Sequence, residues 1–129
     1  MSFLALVTLA NLALLQFVAF QCGTMRGKHQ VPPGTTVGPE EFNRHYRAQA
    51  NLMENLLVFL PSVWLLGYYG DARLAGVVGT VFLLARVAYH RAYISEPTTR
   101  LKAFLVGIAC SAVALLGAVV SILIDVVAA

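Results

Sequence analysis

Residues 46–54 read Tyr46-Arg47-Ala48-Gln49-Ala50-Asn51-Leu52-Met53-Glu54 and run without a break into Leu56-Leu57-Val58-Phe59-Leu60 and an apolar stretch ending near Tyr69. The continuation is apolar enough for lipid, so a helix here carries an arginine, an asparagine and a glutamate into a membrane. A charged side chain at the centre of such a helix costs about 2.5–3.5 kcal/mol on insertion scales. Three polar groups kept in register at that place point to use.

The rest of the chain fits a membrane setting. Only 12% of its 129 residues are charged, and the mean hydropathy is +0.76. A soluble domain of this size carries more charge. The apolar residues fall in blocks that predict four spans, at about residues 3–22, 41–69, 74–93 and 98–127, in a single membrane domain over residues 1–129. The expected fold is an all-α integral-membrane four-helix bundle. A signal peptide is the other reading of Phe3 to Phe20. No basic residue precedes that block, and no small-x-small cleavage site follows it.

Turn signals separate the spans. The polar stretch Gly23 to Pro39 holds Pro32-Pro33-Gly34 and Gly38-Pro39, which are breakers. Pro39 before Glu40 and Glu41 is a helix start, because proline suits the first turn and carboxylates meet the positive end of the dipole. Gly70-Asp71 predicts a tight turn, and Ser95-Glu96-Pro97 a break. The second helix, about 29 residues and roughly 43 Å long, exceeds the bilayer core. Its first turns, with Phe42, Arg44, Tyr46 and Arg47, should stand at the headgroups.

Basic residues set the expected orientation. Arg26, Lys28, Arg44, Arg47, Arg86, Arg91, Arg100 and Lys102 belong to one side, and Arg73 stands alone on the other. The positive-inside rule places the crowded side in the cytoplasm and both termini opposite. Trp64, Tyr68 and Tyr69 then suit an aromatic belt at the outer interface. The positive charge calls for no nucleic-acid partner. Cys22 and Cys110 lack metal-ligand spacing and read as small apolar residues, so no metal site is expected. Small residues recur at Gly76 and Gly79, and at Gly107, Ser111, Ala114 and Gly117. They suit close helix packing within or between protomers.

Arg47, Asn51 and Glu54, spaced i, i+4, i+7, share one helix face. The row can satisfy itself, or it can form one wall of a site for a hydrophilic ligand. Arg86, Tyr89, His90 and Tyr93 share a second face. Tyr89 and Tyr93 read as interface anchors or as hydroxyl donors. Arg86 reads as a snorkelling or paired residue, and His90 and Arg91 as facing headgroups. Arg100 opens the fourth span, where the helix dipole disfavours a cation. It either contacts headgroups or points into a site and stabilises an anion. All these rows converge on the cytoplasmic edge, where a zwitterionic peptide would find donors and acceptors beside apolar walls for a lipophilic second substrate.

Two segments carry a resemblance. Residues 39–54, Pro39-Glu40-Glu41-Phe42-Asn43-Arg44-His45-Tyr46-Arg47-Ala48-Gln49-Ala50-Asn51-Leu52-Met53-Glu54, resemble the signature of the MAPEG family, the membrane-associated proteins in eicosanoid and glutathione metabolism. Phe82 to Tyr93 with Arg100-Leu101 is similar to that family's third helix and the start of its fourth. The likeness runs from about Arg26 to Phe104 and points to the leukotriene C4 synthase and microsomal glutathione transferase branch, in a bacterial member. It implies a homotrimer with glutathione as co-substrate, bound between neighbouring protomers on the cytoplasmic side. Carried over position by position, Arg26, Arg47, Gln49, Asn51, Glu54, Tyr89 and Tyr93 would bind glutathione. Arg100 from the adjacent protomer would be catalytic, holding the thiolate. The implied reaction is attack on a lipophilic electrophile or reduction of a lipid hydroperoxide. Gly27 and Asn55 depart from the synthase pattern, which has arginine and tyrosine there, and this turns the expectation from leukotriene synthesis toward a general transferase or peroxidase.

Two other functions fit parts of the pattern. A non-catalytic lipid-binding scaffold of the same family would keep the helices without glutathione binding. A small proton-coupled exporter would use Glu54 as its exchange carboxylate.

Overall fold

The computed structural model describes residues 1–95, 98 and 100–129. Four α-helices follow one another: α1 (Ser2–Lys28), α2 (Glu40–Tyr69), α3 (Ala72–Ser95) and α4 (Arg100–Ala128). Each is long and apolar enough to cross a membrane. Lipid leaves no water to satisfy backbone groups, so a helix is the structure such segments must take. The outer faces of α1 and α4 display Leu6, Leu9, Phe17, Phe20, Leu105, Leu116 and Ile124, an apolar surface that no water-soluble monomer leaves open. The chain is an integral multi-pass membrane protein.

The helix bounds follow the expected spans at most ends. Pro39 precedes α2, and Glu40 and Glu41 fill its first turn. The Asp71 carboxylate accepts the N–H groups of Arg73 and Leu74 at 2.7 and 2.8 Å and so starts α3. Those two amides hold the Asp71 carboxyl below its usual range. The expected break at Ser95-Glu96-Pro97 is met by the end of α3 at Ser95, while Glu96 and Pro97 lie outside the described residues. The first helix departs from expectation. It continues past Cys22 to Lys28, carrying Arg26 on its last turn. Its end is a Schellman turn without glycine: Gln30 takes φ 51°, Val31 N–H donates to Arg26 O, and Gln30 N–H to Gly27 O. Val31 then packs on Cys22, Met25 and Phe42.

The α2–α3 pair forms the centre of the bundle. Both helices touch α1 and α4, while α1 and α4 do not meet among the described residues. The rings of Phe59 and Phe82 stack at 3.8 Å, inclined by 4°, and both are fully buried. Glycines let the helices approach. A Cβ at Gly67 would stand 2.6 Å from Leu4 Cδ2 and 3.3 Å from Ala75 Cβ. Gly76 and Gly79 of α3 seat Phe3 and Val7 of α1 in the same way, so these small residues serve packing inside the protomer. Because Leu4 is fully buried, it has no room to retreat. Gly67→Ala is expected to destabilise the bundle by about 1–3 kcal/mol, read as a lower unfolding midpoint in detergent.

Trp64, expected in an aromatic belt, is half-buried and donates through Nε1 to Thr8 Oγ1 at 3.0 Å. Tyr68 and Tyr69 do stand exposed beside the α2–α3 turn. That turn shares its end of the bundle with both termini: Gly67 meets Leu4, and Gly70 meets Ser121. The opposite end gathers Arg26, Lys28, Arg44, Arg47, Arg91, Arg100 and Lys102 from the ends of all four helices.

Candidate functional site

The basic end is built by three devices. The chain between α1 and α2 is folded down by Arg26, whose Nη1 donates to Pro32 O at 2.8 Å and to Thr35 O at 2.9 Å. The guanidinium also lies 4.9 Å over the Phe42 ring. Between these carbonyls Pro33-Gly34 forms a tight turn, closed by Thr35 N–H on Pro32 O, in which Gly34 supplies φ 81°. Asn43 ties the same segment to α2 by exchanging two hydrogen bonds with the Gly38 backbone. Lys28 and His29 both bind the Glu41 carboxylate, at 2.9 and 2.8 Å.

Two clefts open beside one another at this end, and Arg100 borders both. One, about 230 Å³, is lined by Glu40, Asn43, Arg44, Arg47, Tyr93 and Arg100. The other, about 440 Å³, is lined by Tyr89, Thr98, Arg100, Leu101 and Phe104. The first is crowded with cations, of which Arg44 is paired with Glu40 one turn earlier. The second is walled largely by carbon. Arg100 stands 4.6 Å over the Tyr93 ring. Tyr93 in turn lies 5.6 Å from Tyr89, and Tyr89 lies 6.1 Å from Phe104. A cation at the first residue of α4 thus sits where a polar compartment meets an apolar one. Its position also adds the positive end of the α4 dipole to the same spot.

A second layer lies beneath. Arg86 is 1% exposed, and its Nη2 donates to Asn51 Oδ1. The guanidinium sits 4.6 Å from the Tyr89 ring. Arg86 packs against Gly107 of α4, where an added Cβ would meet its Nη1 and Cδ in ordinary contact at 3.5 and 3.6 Å.

The residues expected to form a site are therefore only partly together in one protomer. Arg47, Tyr93 and Arg100 share a cleft, Tyr89 joins through the second cleft, and Asn51 joins through Arg86 and the Tyr89 ring. Arg26 is engaged with loop carbonyls. Gln49 is half-buried with no hydrogen bond among the described residues. Glu54 faces a separate cleft of about 240 Å³ between α2 and α4, with Asn55, Val58, Ile108 and Ser111.

The expected row on α2 does not satisfy itself. Asn51 takes Arg86 and Asn55 rather than Arg47 or Glu54. Reasoning along one helix could not find a partner 35 residues away. His90, expected at the headgroups, is buried. Its Nε2–H donates to Gln21 Oε1 of α1 at 2.7 Å, and its ring meets His45 edge-on. The turn carrying Tyr89 also carries His90 one position on, facing α1 instead of solvent. Arg91 is exposed, as expected. Asn43, Arg44, Leu101 and Phe104 were missed as lining residues. Their only signal was position, within a turn of Arg47 or Arg100.

Comparison with known proteins places the chain. The model of the MAPEG family matches residues 4–120. The uncharacterized protein sll1147 of Synechocystis sp. is 36% identical over 92% of this chain and 87% of its own length. Leukotriene C4 synthase of Cavia porcellus is 38% identical over 76% of this chain, which spans 65% of that protein. Microsomal glutathione S-transferase 2 of Mus musculus is 33% identical over 80% of this chain and 70% of its own length.

Proposed function

The chain belongs to the MAPEG family, and we propose from that footing that it is a glutathione-dependent membrane transferase which can also reduce lipid hydroperoxides. The observation that carries this is the position of Arg100 at the shared border of a cationic cleft and an apolar one. A hydrophilic thiol peptide and a lipophilic electrophile need those two compartments, and the nucleophilic sulfur must stand between them. The names of the relatives, a glutathione S-transferase and a leukotriene synthase, support the same substrate class.

In this reading Arg47, Asn51 and Tyr93 hold the peptide. Gln49 and Glu54 on α2, and Arg26 on α1, complete its binding across the boundary with neighbouring copies of a homotrimer, while Arg100, which shares the cleft with Arg47 and Tyr93, meets the thiol from the same protomer instead of from the adjacent copy. The exposed apolar face of the bundle and the outward position of Glu54 support an assembly of this kind. The positive-inside rule puts the site on the cytoplasmic side and the termini opposite.

The chemistry asks little of the protein beyond placement and charge. A free thiol has a pKa of about 8.5, and a nearby cation lowers it. The Arg100 guanidinium favours the thiolate, and the thiol proton leaves to water. The sulfur then forms a bond to an electrophilic carbon while one bond of that carbon breaks: the bond to halide, which leaves as the anion, the C–O bond of an epoxide, or the π bond of an enone, the last two taking a proton from water. With a hydroperoxide, two glutathione molecules give a disulfide, an alcohol and water.

The test uses the purified protein in detergent with reduced glutathione and a panel of lipophilic halides, enones, epoxides and hydroperoxides. The expected result is conjugate or alcohol formed only with glutathione present. No product with any of them, together with no glutathione binding at millimolar concentration, would instead favour a non-catalytic scaffold.

A further inference from the structure

We propose that Arg86 is a positioning residue which turns the Asn51 amide so that its N–H groups, and not its oxygen, face the ligand. Asn51 then reads an oxygen acceptor, a carboxylate of the peptide, and rejects its ammonium group. The inference rests on the proposed glutathione reading and deepens it.

A guanidinium has five N–H donors and no acceptor. The atom of Asn51 that faces Arg86 must therefore be Oδ1, and the two possible amide orientations are not equivalent here. Asn55 agrees. Its Nδ2 donates to Asn51 O at 2.7 Å and stands 3.4 Å from Asn51 Oδ1. Donors from two helices thus claim the same side of the amide. Asn51 Nδ2 has no acceptor among the described residues, and the side chain is half-buried rather than enclosed.

Arg86 is held for this task at some cost to itself. It is 1% exposed, its Nε and Nη1 lack partners, and it forms no ion pair with a carboxylate among the described residues. A cation so placed is not explained by stability, because an apolar side chain of similar size serves a core equally well or better. The Phe82 and Tyr89 rings at 5.9 and 4.6 Å flank it, and Gly107 of α4 packs against it. Among the described residues, the one side-chain hydrogen bond it makes is the one that orients Asn51.

Aspartate at 51 separates orientation from packing. Asn51→Asp keeps an oxygen for Arg86 and even neutralises it, but replaces the outward donor with a second carboxylate oxygen. The protein should unfold at or above the temperature of the unaltered chain, while affinity for glutathione and for S-methylglutathione falls about 10- to 100-fold, the range expected for a lost hydrogen bond to a charged group. S-methylglutathione has no thiol, so its loss reports the peptide contact alone. Arg86→Met frees the amide to rotate and should weaken both ligands about tenfold, with Arg86→Lys restoring part of that loss. A purely structural Arg86 would move the unfolding temperature and leave both affinities unchanged. Tight binding in Asn51→Asp, or in a folded Arg86→Met, overturns the inference while leaving the transferase reading intact. Failure of the unaltered protein to bind either ligand at millimolar concentration overturns that reading, and this inference with it.

Discussion

Arg100→Ala is expected to lower kcat/KM for glutathione conjugation about 100- to 1000-fold, the loss found when one preorganised donor to a developing anion is removed. The effect should appear in the thiolate rather than in folding. Arg100 is only partly buried, and its aromatic contact with Tyr93 is at the rim of the bundle. The N-terminal amides of α4 remain in the variant and continue to favour an anion, so activity should fall steeply without vanishing. Arg100→Lys keeps the charge but loses the flat contact over Tyr93, and should recover part of the rate. The check is a steady-state comparison of the three proteins, with the apparent thiol pKa of bound glutathione read from the pH dependence of the rate. In Arg100→Ala that pKa should rise toward the value of free thiol. Full activity in Arg100→Ala would remove this residue from the chemistry.

Phe82→Ala is expected to destabilise the bundle by about 2–3 kcal/mol. The usual cost of such a change has a transfer part and a cavity part. In lipid the transfer part is small, because an unfolded or separated helix still lies among hydrocarbon chains. The cavity part remains, at about 24 cal/mol per Å³ of unfilled space. Phe82 has nowhere to hide a void. It is fully buried, stacked on Phe59 at 3.8 Å and enclosed by residues of α1, α2 and α4. The change should also reach the site. Arg86, Tyr89 and Tyr93 stand on the same face of α3, one turn after another, so a loosened α2–α3 contact moves them relative to Arg47 and Asn51. A lower unfolding midpoint in detergent, accompanied by a raised KM for glutathione, is the expected pair of results. Unchanged KM in a measurably destabilised variant would show that the site does not depend on this stack.

How much of this was legible in the sequence depended on whether the signal was local. The four helices were, because lipid forces long uninterrupted apolar runs. So were the start of α2, set by Pro39-Glu40-Glu41, and the turn at Gly70-Asp71, although α3 begins at Ala72, two residues before the expected span. The end of α1 was not. Hydropathy marks where a helix leaves lipid, not where it stops, and the residues from Gly23 to Lys28 remain helical in the headgroup zone. The actual stop relies on Gln30 in a left-handed conformation, a place where glycine would have been the visible sign.

The site divides in the same manner. Arg47, Tyr89, Tyr93 and Arg100 converge as their positions near helix ends suggested. The partner of Asn51 lay on another helix, so of the two readings of the α2 row the self-satisfying one, with Arg47 or Glu54, is replaced by Arg86. His90 was misplaced for a related reason. The side of α3 on which a residue falls is set by where α1 packs, and Gln21 offered no pattern that reveals this. Arg26 was expected as a ligand only through the family resemblance, and within one protomer it folds the loop.

The most direct measurement is the ultraviolet difference spectrum of the solubilised protein on adding glutathione near neutral pH. The account predicts a saturable thiolate absorbance, absent with S-methylglutathione and strongly reduced in Arg100→Ala. Glutathione that binds with no thiolate signal, or a signal unchanged in Arg100→Ala, would contradict it.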